Sequence, residues 1–185
     1  HNCLVGSEMC IRDSPNAVTG TQFLYDTRTT SATLVGSPVL YLDGTQIKYW
    51  YNSTDQIAGA HNLTANVWSH IALTRTTGIT KLFVNGTQVG GDYNDTNDYL
   101  ERPFTIAADW QGANGFVGHM DNFLLHTESK YSNTFTPGFT YPTDTAKVTF
   151  GLDCESPIII STEDCFGTYT GQTNSTATSL SLIHI

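Results

Sequence analysis

Trp68-Ser-His-Ile-Ala-Leu-Thr-Arg75, then Thr77-Gly78, then Lys81-Leu-Phe-Val-Asn-Gly86 form the most informative stretch of this 185-residue chain. Apolar and polar positions alternate in both arms, the period of a strand with one buried face. Ile71 and Leu73 fall on one side of the first arm, and Leu82 and Val84 on the matching side of the second. Two neighbouring strands can therefore share a core face, with Trp68, His70 and Ala72 on the opposite side of theirs. Thr77-Gly78 makes a tight connection. Asn85-Gly86 and Asp43-Gly44 also sit between alternating runs, and both predict type I′ hairpin turns because the dipeptides tolerate positive φ.

The same alternation extends outward. It predicts strands over 22–26, 39–42, 46–52, 68–76, 80–85, 87–90, 104–108, 115–127 and 147–152, with no useful length at helical period. The acidic segment 92–101 reads as a long polar loop, 134–141 as an extended connector, and the Thr/Ser/Asn-rich stretch 168–179 as a linker. Evenly spaced hairpins without helices predict an all-β sandwich or barrel. With 8 basic against 17 acidic residues the net charge is −9, which offers nucleic acid no electrostatic footing. No apolar run reaches the roughly 20 residues of a membrane helix, so no membrane insertion is expected.

The two ends read differently from the middle. Leu180-Ser-Leu-Ile-His-Ile185 back-translates as CTG TCT CTT ATA CAC ATC, whose reverse complement, shifted by one base, encodes Met9-Cys-Ile-Arg-Asp-Ser14. Cys3-Leu-Val-Gly-Ser-Glu8 fits an adjoining TGT CTC GTG GGC TCG GAG. This inverted repeat resembles a sequencing-library adapter, and residues 1–14 and 180–185 are set aside as one sets aside a fusion scar. Without them the net charge is −8, and of four cysteines only Cys154 and Cys165 remain. That pair could close a disulfide in an oxidising compartment or stay as two thiols.

The Trp-x-His-aliphatic-Ala strand ending in Arg75, followed by the Leu82-Phe-Val-Asn-Gly86 hairpin, resembles the laminin-G-like branch of the concanavalin-A-like lectin/glucanase superfamily. Phe104-Thr-Ile-Ala-Ala108, Gly118-His-Met-Asp-Asn-Phe-Leu-Leu125, Tyr131-Ser-Asn-Thr-Phe-Thr-Pro137 and Val148-Thr-Phe-Gly-Leu-Asp153 follow in the family's order. The resemblance implies an all-β jelly-roll β-sandwich of two antiparallel sheets over 15–153, with 154–179 a linker or the start of a next module. Complete modules carry several strands before the hairpin region. The resemblance therefore implies a domain truncated on its N-terminal side, with exposed sheet edges. Similar tandem modules occur in phage and marine environmental structural proteins, implying an extracellular or virion-associated setting and further modules of the same longer chain as partners.

The superfamily includes glucanases, which set catalytic carboxylates on alternate residues of one strand. After trimming, only Glu101, Glu128, Glu155 and Glu163 remain, and none begins such a run. There is no nucleophile elbow and no phosphate-binding glycine loop, so the chain is not expected to be an enzyme. No cofactor is required. Ca²⁺ is the metal the resemblance allows, through Asp121 with Asp95 or Asp98 at a sheet rim. Against this stands a solvated acidic loop, with Asp121 bonded to a neighbouring strand or to Arg75. His61, His70, His119 and His126 lack zinc spacing.

Glycan binding needs aromatic faces beside carboxylates and amides. Trp110 with Asp109 and Asn114 supplies that combination in a loop between strands, and Tyr93 and Tyr99 flank the acidic segment. Trp50 and Trp68 read as core or concave-face residues. Non-catalytic binding or adhesion to glycans leads, ahead of a ligand-free spacer in a virion or fibre and an accessory domain of a secreted polysaccharide-degrading enzyme. All three rest on fold analogy.

Overall fold

A computed structural model describes residues 8–29, 36–97, 99, 103–126, 128–138, 148–152 and 158–160. Twelve strands form two antiparallel sheets, and no helix occurs among these residues. The strands are β1 (Glu8–Pro15), β2 (Thr21–Asp26), β3 (Val39–Asp43), β4 (Gln46–Tyr51), β5 (Thr54–Ala60) and β6 (Ser69–Thr76). They continue with β7 (Ile79–Val84), β8 (Thr87–Asn94), β9 (Thr105–Ile106), β10 (Gly118–His126), β11 (Val148–Leu152) and β12 (Ile158–Ile160). The larger sheet runs β11-β10-β1-β6-β7-β8, with β12 also on β10; the smaller runs β5-β4-β3-β2-β9.

The β6–β7 hairpin is as the alternation requires. Leu73 pairs with Leu82 and Ile71 with Val84, and all four enter the core between the sheets with Leu24, Leu40, Ile47, Tyr49, Ile57 and Phe123. Ala72 and Phe83 face the other way. There the 128–138 connector crosses them: Tyr131 stacks on Phe135 at 3.5 Å and 4°, and Phe135 meets Phe83 and His70 edge-on at 5.5 Å each. Gly86 lets the connector dock. Its φ is +77°, and a Cβ there would lie 1.9 Å from the Phe135 carbonyl oxygen.

Four expectations are corrected. Asp43-Gly44 is not a type I′ turn: Gly44 alone takes positive φ, at the first loop position, the pattern of type II′. The strand β5 was absent from the sequence reading because the turn before it, Asn52-Ser53, carries positive φ at both residues without a glycine. At 105–106 only two residues pair, since Ala107 turns to φ +62°. The strand β8 runs on to Asn94, into the segment read as loop.

Residues set aside as foreign contribute backbone to the larger sheet. Glu8–Asp13 pairs with β6 and Glu8–Pro15 with β10, so β1 fills an interior position. Pairing uses the N–H and C=O groups every residue carries, so such a slot accepts any extended segment without an internal proline. Cys154, Cys165, the linker at 168–179 and the 180–185 end lie outside the described residues.

Candidate functional site

The smaller sheet turns one face to the core and one outward, and alternation assigns the residues. In β4, Ile47, Tyr49 and Tyr51 are buried while Lys48 and Trp50 are half-buried on the far side. Tyr41 pairs with Lys48 on that outer side. A bulge between Phe23 and Tyr25 shifts the phase of β2, so that Leu24 and Tyr25 face inward and Phe23 stacks on Tyr41 at 5.3 Å and 16°.

Charged groups lie across these rings. Beyond β2, Arg28 folds back so that its Nε donates to both oxygens of Asp26 at 3.0 Å and its Nη2 to Oδ2 at 2.6 Å. Its guanidinium sits 5.3 Å from the Phe23 ring and 5.4 Å from the Trp50 ring, in cation–π range. Lys48 donates to Asp43 at 2.7 Å and lies 3.4 Å from Asp55. The Tyr41 hydroxyl donates to Asp55 at 2.7 Å; burial first, and this bond second, push the phenol above its ordinary value. The bond from Lys48 holds the Asp43 carboxyl below the usual range.

The loop at 109–114 joins this face from the edge. The buried Asp109 carboxylate accepts from the N–H groups of Gln111 at 2.9 Å and Ala113 at 2.8 Å, and from Asn114 Nδ2 at 2.9 Å. It is the peg that shapes the loop, as Asp does in tight turns. Asn114 is exposed, and its carbonyl accepts from Phe23 N–H at 2.9 Å. The Trp110 N–H donates to Asp26 Oδ2 at 3.1 Å, which fastens the half-buried Trp110 to the carboxylate that also holds Arg28. The structure thus brings Trp110, Asp109 and Asn114 beside Phe23, Trp50 and Tyr41.

It does not bring Tyr93 and Tyr99 there. They lie between the sheets, around Asp95: Tyr93 comes from β8 of the larger sheet, and both rings pack against the inner face of β4. Tyr99 is buried, meets Tyr51 edge-on at 5.1 Å, and its hydroxyl contacts Tyr49 Oη at 2.6 Å and donates to Asp95 Oδ2. Tyr93 packs near Tyr49 at 6.2 Å and accepts from Asn97 Nδ2 at 2.9 Å.

Asp95 is 0% exposed, not part of a solvated loop. It accepts from Thr80 Oγ1 at 2.7 Å and Asn97 Nδ2 at 2.9 Å, and Arg75 Nε stands 3.7 Å away. Arg75 therefore pairs with Asp95, 20 residues on. Asp121 accepts from its neighbour Asn122 N–H at 2.8 Å. It sits level with Arg12 and hence His70, whereas Asp95 lies beyond Arg75, two strands further across. Strand spacing and rise separate them by on the order of 20 Å, too far to share an ion. Asp98 lies outside the described residues, and among those described no three His, Cys, Asp or Glu gather as a metal site.

The inner cluster predicts a pH response. Burial is the largest cause raising Tyr49, Tyr99, Tyr51 and Tyr93 above the ordinary phenol value. An unfolded chain loses these protons near pH 10. The folded values lie higher, so stability is undiminished below about pH 10 and falls as pH rises above it. Circular dichroism and near-ultraviolet phenolate absorbance should then change together in one alkaline transition. Full ionisation of all nine tyrosines before the fold is lost would contradict the burial of Tyr49 and Tyr99.

Sequence reasoning missed Arg28, Phe23, Tyr41, Lys48 and Asp55. The alternation in Gln46-Ile-Lys-Tyr-Trp-Tyr51 does place Lys48 beside Trp50, but nothing local signals the fold-back of Arg28.

A family profile described as the concanavalin A-like lectin/glucanases superfamily matches residues 14–131. No curated protein sequence matches the chain significantly. Among solved structures, the CBM40 module of the Ruminococcus gnavus IT-sialidase is similar at 16% identity and TM-score 0.54, covering 70% of this chain and 79% of that one. A Bacteroides ovatus protein assigned to carbohydrate binding is similar at 15% identity and TM-score 0.55, covering 84% and 56%. A leech intramolecular trans-sialidase is similar at 13% identity and TM-score 0.55, covering 71% of this chain and 22% of the enzyme. The chain thus spans about half of the second and under a quarter of the third.

Proposed function

The chain belongs to the concanavalin A-like lectin/glucanase superfamily, and we propose that it is a non-catalytic glycan-binding module acting outside the cell or on a virion. The observation that carries this reading is the single carboxylate of Asp26, which holds both the Trp110 loop and the Arg28 guanidinium. It sets the Trp110 loop beside the half-buried Trp50 and Tyr41 rings, with the buried Phe23 stacked on Tyr41. Sugar rings present C–H faces to such aromatics while their hydroxyls reach the carboxylates alongside. The carboxylates here are each engaged by a cation or a hydroxyl, and Asp43 is held in its charged form, which suits hydroxyl binding and not proton donation.

The test is a glycan array probed with the full 185-residue chain, in Ca²⁺ and in EDTA. Trp110→Ala or Trp50→Ala should each weaken binding about tenfold, the size of one lost aromatic contact. Failure to bind any glycan under both conditions would return the chain to the spacer reading.

A further inference from the structure

We infer that the outer face of the smaller sheet selects uncharged glycans over carboxylate-bearing ones. This rests on the glycan-binding reading and names its ligand class. Three carboxylates, Asp26, Asp43 and Asp55, share the face with two cations, Arg28 and Lys48. Both cations are largely covered, the Arg28 side chain 19% exposed and that of Lys48 16%, each laid over aromatic rings, and Lys48 is less exposed than either of its carboxylate partners. The outermost charges are acidic, with the Asp43 side chain 44% exposed and that of Asp55 30%.

Arg28 is neutralised by a bidentate carboxylate that is itself 0% exposed, and Lys48 is shared between two more. At the Lys48 end an incoming sugar acid therefore meets two carboxylates that are more exposed than the cation they share, at the Arg28 end it meets a cation already neutralised, and both cations would have to leave ion pairs to receive it. Like charges brought within a few ångströms at a protein surface repel, and a desolvated contact strengthens that repulsion. A neutral sugar meets the same carboxylates as acceptors for its hydroxyls. The face thus differs in charge from what a sialic acid would need, although a module of similar fold has been captured with α2,3-sialyllactose.

The experiment compares matched neutral and acidic glycans, lactose with 3′-sialyllactose and neutral with uronate-bearing oligosaccharides, on one array with the full chain. Binding of neutral members at least tenfold above their acidic counterparts is expected. Asp43→Asn should narrow that ratio severalfold. Asp92→Asn, an exposed control on β8, should leave it unchanged and so separates the local field from the overall negative charge. Acidic glycans bound as well as neutral ones, or Asp92→Asn narrowing the ratio as much as Asp43→Asn, overturns the inference while glycan binding stands. Silence across both classes overturns the glycan reading itself.

Discussion

Removing residues 1–14 should abolish the cooperative thermal transition of this domain. The strand β1 is an interior member of the larger sheet, in register with β6 from Glu8 to Asp13 and with β10 from Glu8 to Pro15. Its loss leaves two long strands facing an empty slot with their inward-facing N–H and C=O groups unpaired. At about 1 kcal/mol net per backbone hydrogen bond, a strand paired on both sides accounts for several kcal/mol. Typical total stability is only ~5–15 kcal/mol. Calorimetry of the full chain beside residues 15–185 checks this, and an unchanged transition in the shorter chain would show that the domain needs no strand from residues 8–14. A third chain carrying a different extended segment in place of residues 8–14 is informative as well. Recovery of the transition would mean that the slot reads backbone and length, as strand pairing does. That bears on the terminal inverted repeat: if long reads across the locus replace residues 1–14, the natural upstream segment should supply an extended run of about eight residues to the same slot.

Much of this fold was legible because its information is local. The Trp68–Gly86 hairpin declares itself by alternation and by dipeptides that accept positive φ, and the core that Ile71, Leu73, Leu82 and Val84 build follows from that. The strand β5 escaped notice for an equally local reason: Asn52-Ser53 takes the left-handed conformation without glycine, and only Ile57 in Thr54–Ala60 is buried and apolar. The site divides similarly. Trp110 with Asp109 and Asn114 forms one loop in sequence and in space. Tyr93 and Tyr99 looked like its equals, yet they pack from the core side against the inner face of the smaller sheet, Tyr93 from β8 of the larger one. Spacing within a loop does not reveal which side of a sheet the loop closes over.

Asp95→Ala should cost about 3–5 kcal/mol, the range for breaking a buried ion pair by removing one partner. Asp92, Asp95, Asp98 and Glu101 recur every three residues and resemble surface charge, but Asp95 is turned inward by a partner 20 residues earlier that local pattern cannot reveal. Arg75 is 8% exposed and spends Nε and Nη2 on the Asp95 carbonyl at 3.1 and 2.8 Å, with Nη2 also on the Asn97 carbonyl at 2.8 Å. Those bonds survive the substitution. The guanidinium charge loses the Asp95 carboxylate, and the Thr80 and Tyr99 hydroxyls lose their acceptor. Asp95→Asn separates the two contributions by keeping shape and part of the hydrogen bonding while removing the charge. Denaturant midpoints of the three chains provide the measurement, and a loss under about 1 kcal/mol for Asp95→Ala would show that the pair is not held in a water-poor interior. The same series tests the calcium expectation. A Ca²⁺-dependent rise in the wild-type midpoint that disappears in Asp95→Asn would make this carboxylate a ligand, whereas a midpoint indifferent to Ca²⁺ leaves Asp95 as the anchor that fixes Arg75 and Tyr99 behind the smaller sheet.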